Sequence, residues 1–243
     1  MKMALLLSTL CVSAYANAAL TTYEFNNGDD LSNWTTDRCD PASFTIVDNE
    51  LLMSIDGAEQ AKCGVETFGQ TQGMKLDTGM STYLAIDMFL DSQHGLTDER
   101  LGGIWGVAYN PADAISYYPI LESVVSDGVT GAQGYEGNLN TFFALDPSLL
   151  TLDSFNTFAY QITDGFINYL VNGNLVFTST SDNHAYFGEV ILNAKNDGNS
   201  FNVRYDNLTF GTMAVDVPEP ASLAVMGAGL LLLAGATKRK RAK

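Results

Sequence analysis

The chain has 243 residues, with 28 Asp and Glu against 12 Lys and Arg, and a formal net charge of −16. So acidic a protein is a poor partner for nucleic acid or anionic lipid. Divalent cations, neutral sugars and basic polymers remain compatible, and acidity also keeps an exported protein soluble.

The first 18 residues carry one lysine (Lys2), an apolar run from about Ala4 to Val12, and two overlapping Ala-x-Ala sites, Ala14-Tyr15-Ala16 and Ala16-Asn17-Ala18. This is the pattern of a secretory signal peptide, and the apolar run is too short to span a bilayer. Removing it places the start of the working chain near Ala19. It also leaves two cysteines, Cys39 and Cys63, because Cys11 lies in the leader. An even count in an oxidising compartment predicts one disulfide. His94 and His184 show no metal-ligand spacing to either cysteine.

From Leu20 the chain alternates and then breaks at Asn26-Asn27-Gly28-Asp29-Asp30, which predicts a first strand and a loop. Ser43 to Val47 and Glu50 to Ile55 flank Asp48-Asn49 as a hairpin. Thr82 to Leu90 is a longer strand whose Leu84, Ile86, Met88 and Leu90 face the core, leaving Tyr83, Ala85, Asp87 and Phe89 on the other side. The stretch from Asp91 to Asn140 is less regular. It contains two strand-like segments, 103–109 and 115–120, and then a glycine-rich run, Asp127 to Gly137, that reads as a loop.

The final third returns to regular β patterning, with segments at 155–163, 166–171, 174–178, 189–193 and 201–210. Asp164-Gly165 and Asn172-Gly173 separate the first three, and these dipeptides are strong hairpin signals. No segment before the C-terminal tail holds a helical period. The fold class is therefore all-β, an antiparallel two-sheet sandwich. The run YQITDGFINYLVNGNLVFTST, closed by a strand containing Asp206-Asn207-Leu208, resembles the concanavalin A-like lectin/glucanase jelly roll. That family includes lectins, other glycan-binding modules and glycosidases, so the fold does not fix an activity.

A retaining glycosidase needs two carboxyl groups about 5 Å apart. Laminarinase-type relatives carry Glu-x-Asp-x-Glu for this purpose, and the run is absent here. The nearest pairs, Asp87 with Asp91 and Asp98 with Glu99, lack the i, i+2 spacing. A nucleophile elbow, a zinc cluster and a P-loop are also absent. The sequence reading is therefore a non-catalytic domain. Its alternative is a secreted glycan-active hydrolase whose carboxyl pair comes from distant strands.

Sugar rings stack their C–H faces on aromatic side chains, while carboxylates and amides bind the hydroxyls. Trp105, Tyr109, Tyr117, Tyr118 and Tyr135, with Glu136, are the candidate glycan-binding residues. The competing reading is that Trp105 and several of the tyrosines fill the core. The resemblance also suggests a structural calcium between the first and last strands, where Glu24 and Asp206 stand, with Asn26 or Asp29 to complete the shell.

The chain ends in three ordered parts: Pro218-Glu219-Pro220, an apolar run from Ala221 to Ala236, and a basic cluster, Lys238 to Lys243. As a helix the 16 apolar residues rise about 24 Å, a marginal transmembrane span. The basic end predicts a cytoplasmic C-terminus. This order resembles the PEP-CTERM sorting signal of Gram-negative bacteria, which implies recognition and removal by an exosortase after a pause at the inner membrane, then surface or extracellular-matrix delivery. The predicted organisation is a signal peptide at 1–18, a sandwich at 19–213, a linker at 214–220, a helix at 221–236 and a tail at 237–243. Without leader and tail the domain keeps 6 basic against 27 acidic side chains, a net charge of −21. Its expected partners are the secretion machinery, the exosortase and extracellular polysaccharide.

Overall fold

The computed structural model describes residues 19–63 and 70–213. The predicted leader, linker, apolar helix and basic tail, including Pro218, Glu219 and Pro220, lie outside the described residues. Among the described residues no helix is long and apolar enough to cross a membrane.

Among the described residues, sixteen strands and two short 3-10 turns build the domain. In chain order the strands are β1 (Ala19–Tyr23), β2 (Thr35–Asp37), β3 (Ser43–Val47), β4 (Glu50–Ile55), β5 (Thr71–Ser81), β6 (Tyr83–Leu90), β7 (Glu99–Tyr109) and β8 (Ile115–Tyr117). They continue as β9 (Ile120–Ser126), β10 (Val129–Glu136), β11 (Thr141–Ala144), β12 (Ser154–Thr163), β13 (Phe166–Val171), β14 (Asn174–Thr178), β15 (Tyr186–Lys195) and β16 (Phe201–Thr212). The first sheet runs β14-β13-β12-β6-β16-β4-β3, with β1 on the end of β16. The second runs β11-β10-β9-β7-β15-β5-β2, with β8 on β7. All pairs are antiparallel, and the two sheets form the predicted jelly-roll sandwich.

Turn chemistry sets the hairpin registers. Asp48-Asn49, Asp127-Gly128, Asp164-Gly165 and Asn172-Gly173 all hold positive φ at both turn positions. That is the geometry whose twist matches paired strands, and Asp, Asn and Gly tolerate it best. The predicted core face of β6 is buried, with Leu84, Ile86, Met88 and Leu90 all fully covered. Burying each such side chain contributes about 1.5–3 kcal/mol.

Two parts differ from the sequence reading. The glycine-rich run is not a loop: β10 occupies most of it, paired with β9 from Val129↔Ser126 to Tyr135↔Ile120. Glycine suits a position there because a side chain at Gly134 would meet the Phe143 ring at 2.2 Å. In addition, β5 is a long strand that the sequence reading leaves unassigned. Its register follows from pairing with β15 across Leu76↔Val190 and Met74↔Leu192, contacts made far apart in sequence.

The sheets are tied together by tyrosines. Tyr205 of β16 is buried, and its hydroxyl accepts from Gly103 N at 3.1 Å and lies 3.3 Å from the carbonyls of Gly103 and Asn193. Tyr160 of β12 donates to Ile104 O at 2.7 Å. Both anchor β7 from the opposite sheet. The approach requires glycine at 102, where an added Cβ would sit 2.1 Å from Val203 Cγ1 and 2.8 Å from the Tyr205 hydroxyl. The Cys39–Cys63 disulfide forms as predicted, with Cα atoms 5.5 Å apart. Replacing Tyr205 by Phe strands buried backbone groups on β7 and should lower unfolding free energy by about 1–3 kcal/mol, measured by urea denaturation.

Candidate functional site

The outward face of β7 presents Gly103, Trp105, Val107 and Tyr109 at alternate positions, because Ile104 and Ala108 between them belong to the main core. Trp105 and Val107 pack with Ile120 and Ile191 in a second apolar cluster, and Tyr109 and Tyr135 lie against it. Above this floor is a cleft of about 430 Å³ lined by Arg38, Trp105, Ser116, Tyr118, Tyr135 and Asn138, among others.

Arg38 follows β2 and immediately precedes the disulfide. Its φ of 54° is left-handed, an uncommon state for a residue with a Cβ. There its guanidinium lies 5.0 Å from the centroid of the Trp105 ring and pairs with Asp37 at 2.6 Å. Burial holds the Asp37 carboxyl above its ordinary value, against the lowering influence of Arg38 and Lys75.

The six glycan-binding candidates separate by exposure. Tyr118 is 39% exposed at the cleft, and burial raises its hydroxyl pKa while Arg38 opposes. Tyr135 is half-buried, with its ring 4.9 Å from Phe142 and its hydroxyl donating to Asn140 Oδ1 at 2.8 Å. Trp105 is only 1% exposed, so it forms the floor under Arg38. Tyr109 stacks on Tyr186 at 5.2 Å beside the cluster. Tyr117 and Glu136 are buried partners: the Tyr117 hydroxyl donates to Glu136 and accepts from Gly137 N at 2.6 Å. Glu136 also accepts from Thr180 Oγ1 at 2.8 Å. Burial, and then the bond to Glu136, push the Tyr117 hydroxyl pKa well above its ordinary value.

The tertiary structure adds residues that the sequence reading does not single out. Ser116, on the cleft lining, shares a 2.8 Å hydrogen bond with Nδ1 of buried His184. Nε2 of His184 has no hydrogen-bond partner among the described residues. Beside the cleft, Glu122 is held by Arg100 Nε and Nη2 at 2.7 and 2.8 Å and by Gln133 Nε2 at 2.6 Å. No linear motif marks Arg38 or His184: Arg38 reaches the cleft from a remote loop, and His184, from another, bonds the lining residue Ser116.

The calcium candidates stand apart from the cleft. Glu24 accepts from Asn26 Nδ2 at 3.2 Å, and Asp206 lies opposite Asp87 in the β16–β6 register. Among the described residues no group of three or more His, Cys, Asp or Glu could hold a metal ion.

Comparison with known proteins decides two points. Residues 216–240 match the PEP-CTERM protein-sorting motif. The tail is a sorting signal. It marks the chain for export and sorting to the cell surface. No curated protein matches the sequence. Among solved structures, the domain is similar to a Bacillus licheniformis β-glucanase, with 11% identity and a TM-score of 0.50, covering 80% of this chain and 98% of that one. It is also similar to a Clostridium perfringens endo-β-galactosidase that releases GlcNAcα1-4Gal, with 13% identity and a TM-score of 0.53 over 80% and 63% of the two chains. A Crh5 transglycosylase gives 10% identity and 0.53 over 80% and 85%. The shared feature is the glucanase-like jelly roll.

This likeness corrects the expectation of a non-catalytic domain. The fold is one found in glycan-cleaving and glycan-transferring enzymes, so a missing Glu-x-Asp-x-Glu run does not exclude catalysis. In a sandwich, groups from strands far apart in sequence meet on one face, and a linear scan does not detect them.

Burial lowers the His184 pKa below its ordinary 6.5, with Glu136 and Asp182 opposing. The unfolded chain therefore binds the proton more tightly, and the histidine's contribution to stability falls as pH drops below about 6.5. Between pH 7 and 5 the wild type should lose more stability than His184→Asn in urea denaturation; parallel curves would contradict this.

Proposed function

We propose that this is an exported, exosortase-sorted surface or extracellular-matrix protein whose sandwich engages extracellular polysaccharide in the cleft above Trp105. The observation that carries this reading is the cleft itself. It places an exposed tyrosine, Tyr118, and the half-buried Tyr135 beside the polar groups of Arg38, Ser116 and Asn138. Aromatic faces for stacking and a few convergent polar groups are what a sugar site requires. The excess of acidic residues argues against polyanionic partners.

A second reading is cleavage or transfer of the bound glycan. It is supported by the fold shared with the glucanase, the endo-β-galactosidase and the transglycosylase. In that case its carboxyl pair is drawn from different strands, because the outward positions of β7 carry Gly103, Trp105, Val107 and Tyr109.

In the same reading the leader at 1–18 is removed on export, the domain spans 19–213, and the apolar segment at 221–236 holds the chain at the inner membrane until an exosortase cuts near Pro218-Glu219-Pro220. Intact mass of the exported protein should lack Lys238 to Lys243; a mass that includes them would contradict this processing. A glycan array, with release of reducing ends assayed on the same sample, tests the site. Tyr118→Ala with Tyr135→Ala should weaken binding about tenfold or more, taking each stacked ring as worth about 1 kcal/mol. Unchanged binding would reject the cleft, and reducing-end release lost in the double variant would favour the second reading.

A further inference from the structure

At another part of the β7 sheet, Glu99 begins β7 and is 5% exposed. Asn199 Nδ2 donates to its Oε2 at 2.7 Å, while Oε1 is buried without a hydrogen-bond partner among the described residues. Glu99 and Asp197 line one cleft of about 310 Å³, together with Arg100, Gln133 and Lys195. Asp197 is 32% exposed, and Lys195 Nζ reaches its Oδ1 at 2.7 Å.

A buried carboxylate oxygen with nothing to bind is costly, and native proteins resolve such groups with a proton, a water or an ion. Asp197 lines the same cleft as Glu99, so the two carboxyl groups can share one positive species. Asn199 orients one oxygen of Glu99, and Lys195 accounts for only one oxygen of Asp197.

We propose that Glu99 and Asp197 form a site for one hard divalent cation of the calcium type. Two carboxylates completed by water are a low-charge ligand set, suited to the weak affinity, about 0.1–1 mM, of extracellular calcium modules. The site is distinct from Glu24 and Asp206, and it joins the start of β7 to the turn between β15 and β16. Burial raises the pKa of the Glu99 carboxyl, and the neighbouring Asp197 acts in the same direction. Lys195 competes for Asp197 and so tunes the site.

Isothermal titration of the exported protein with calcium chloride in chelator-treated buffer tests the proposal. Wild type should bind calcium with a dissociation constant near the millimolar range. Glu99→Gln and Asp197→Asn should each weaken binding about tenfold or more, while Lys195→Met should tighten it roughly threefold by removing the competing ammonium. Circular dichroism identifies any variant that fails to fold, and Asp197→Asn, on the half-exposed turn, carries the test if Glu99→Gln does. No calcium binding by the wild type would overturn the proposal. So would binding retained in the folded acidic variants, or binding lost instead in a Glu24→Gln, Asp206→Asn protein.

Discussion

The sandwich depends on the hydrogen bonds that tyrosines of one sheet make to the backbone of the other. Tyr205 and Tyr160 cross the core to Gly103 and Ile104 on β7, and Tyr205 also reaches Asn193 on β15. A phenol buried in a core must find a partner, and here the partner is the main chain of the strand that carries Trp105. The bonds hold β7 against the apolar core on one side while its outward side chains form the cleft floor. Packing and site geometry thus share one strand, and Gly102 permits the close approach.

The same strand relates the two clefts. Its outward middle supports the aromatic cleft, where Arg38 lies over Trp105, and its first residue, Glu99, lies in the acidic one. Between them Arg100 and Glu122 form a bidentate ion pair, and the β7–β9 register shifts between Arg100 and Gly103. A bulge re-aims side chains and interrupts regular pairing, so residues close in sequence serve separate clefts. Arg38 is brought to its cleft by two constraints: a left-handed backbone and the adjoining disulfide, which fixes Cys39 to Cys63. Neither constraint would act on the cleft without the pairing of β2 to β5 that brings Asp37 opposite Gly73.

Some of this was legible from residues alone. Asp164-Gly165 and Asn172-Gly173 marked hairpins because two successive positive φ angles restrict the residue choice. The core face of β6 followed from its period of two, and the two cysteines from compartment and parity. The glycine-rich segment was misread because glycine signals a loop locally, yet Gly134 serves the packing of Phe143, a residue on the next strand. Among the cleft candidates, aromatic identity pointed to Trp105, Tyr118 and Tyr135. It could not tell a floor from a lining, since exposure depends on what lies above each ring.

By itself the sequence determined the all-β class and the destination, because alternation, turn dipeptides and a sorting tail are written in contiguous residues. Only the tertiary structure decided which side chains share a site. Arg38 and Ser116 line one cleft, as Glu99 and Asp197 line another, through strand pairings and turns that join distant parts of the chain, and proximity of that kind leaves no local mark.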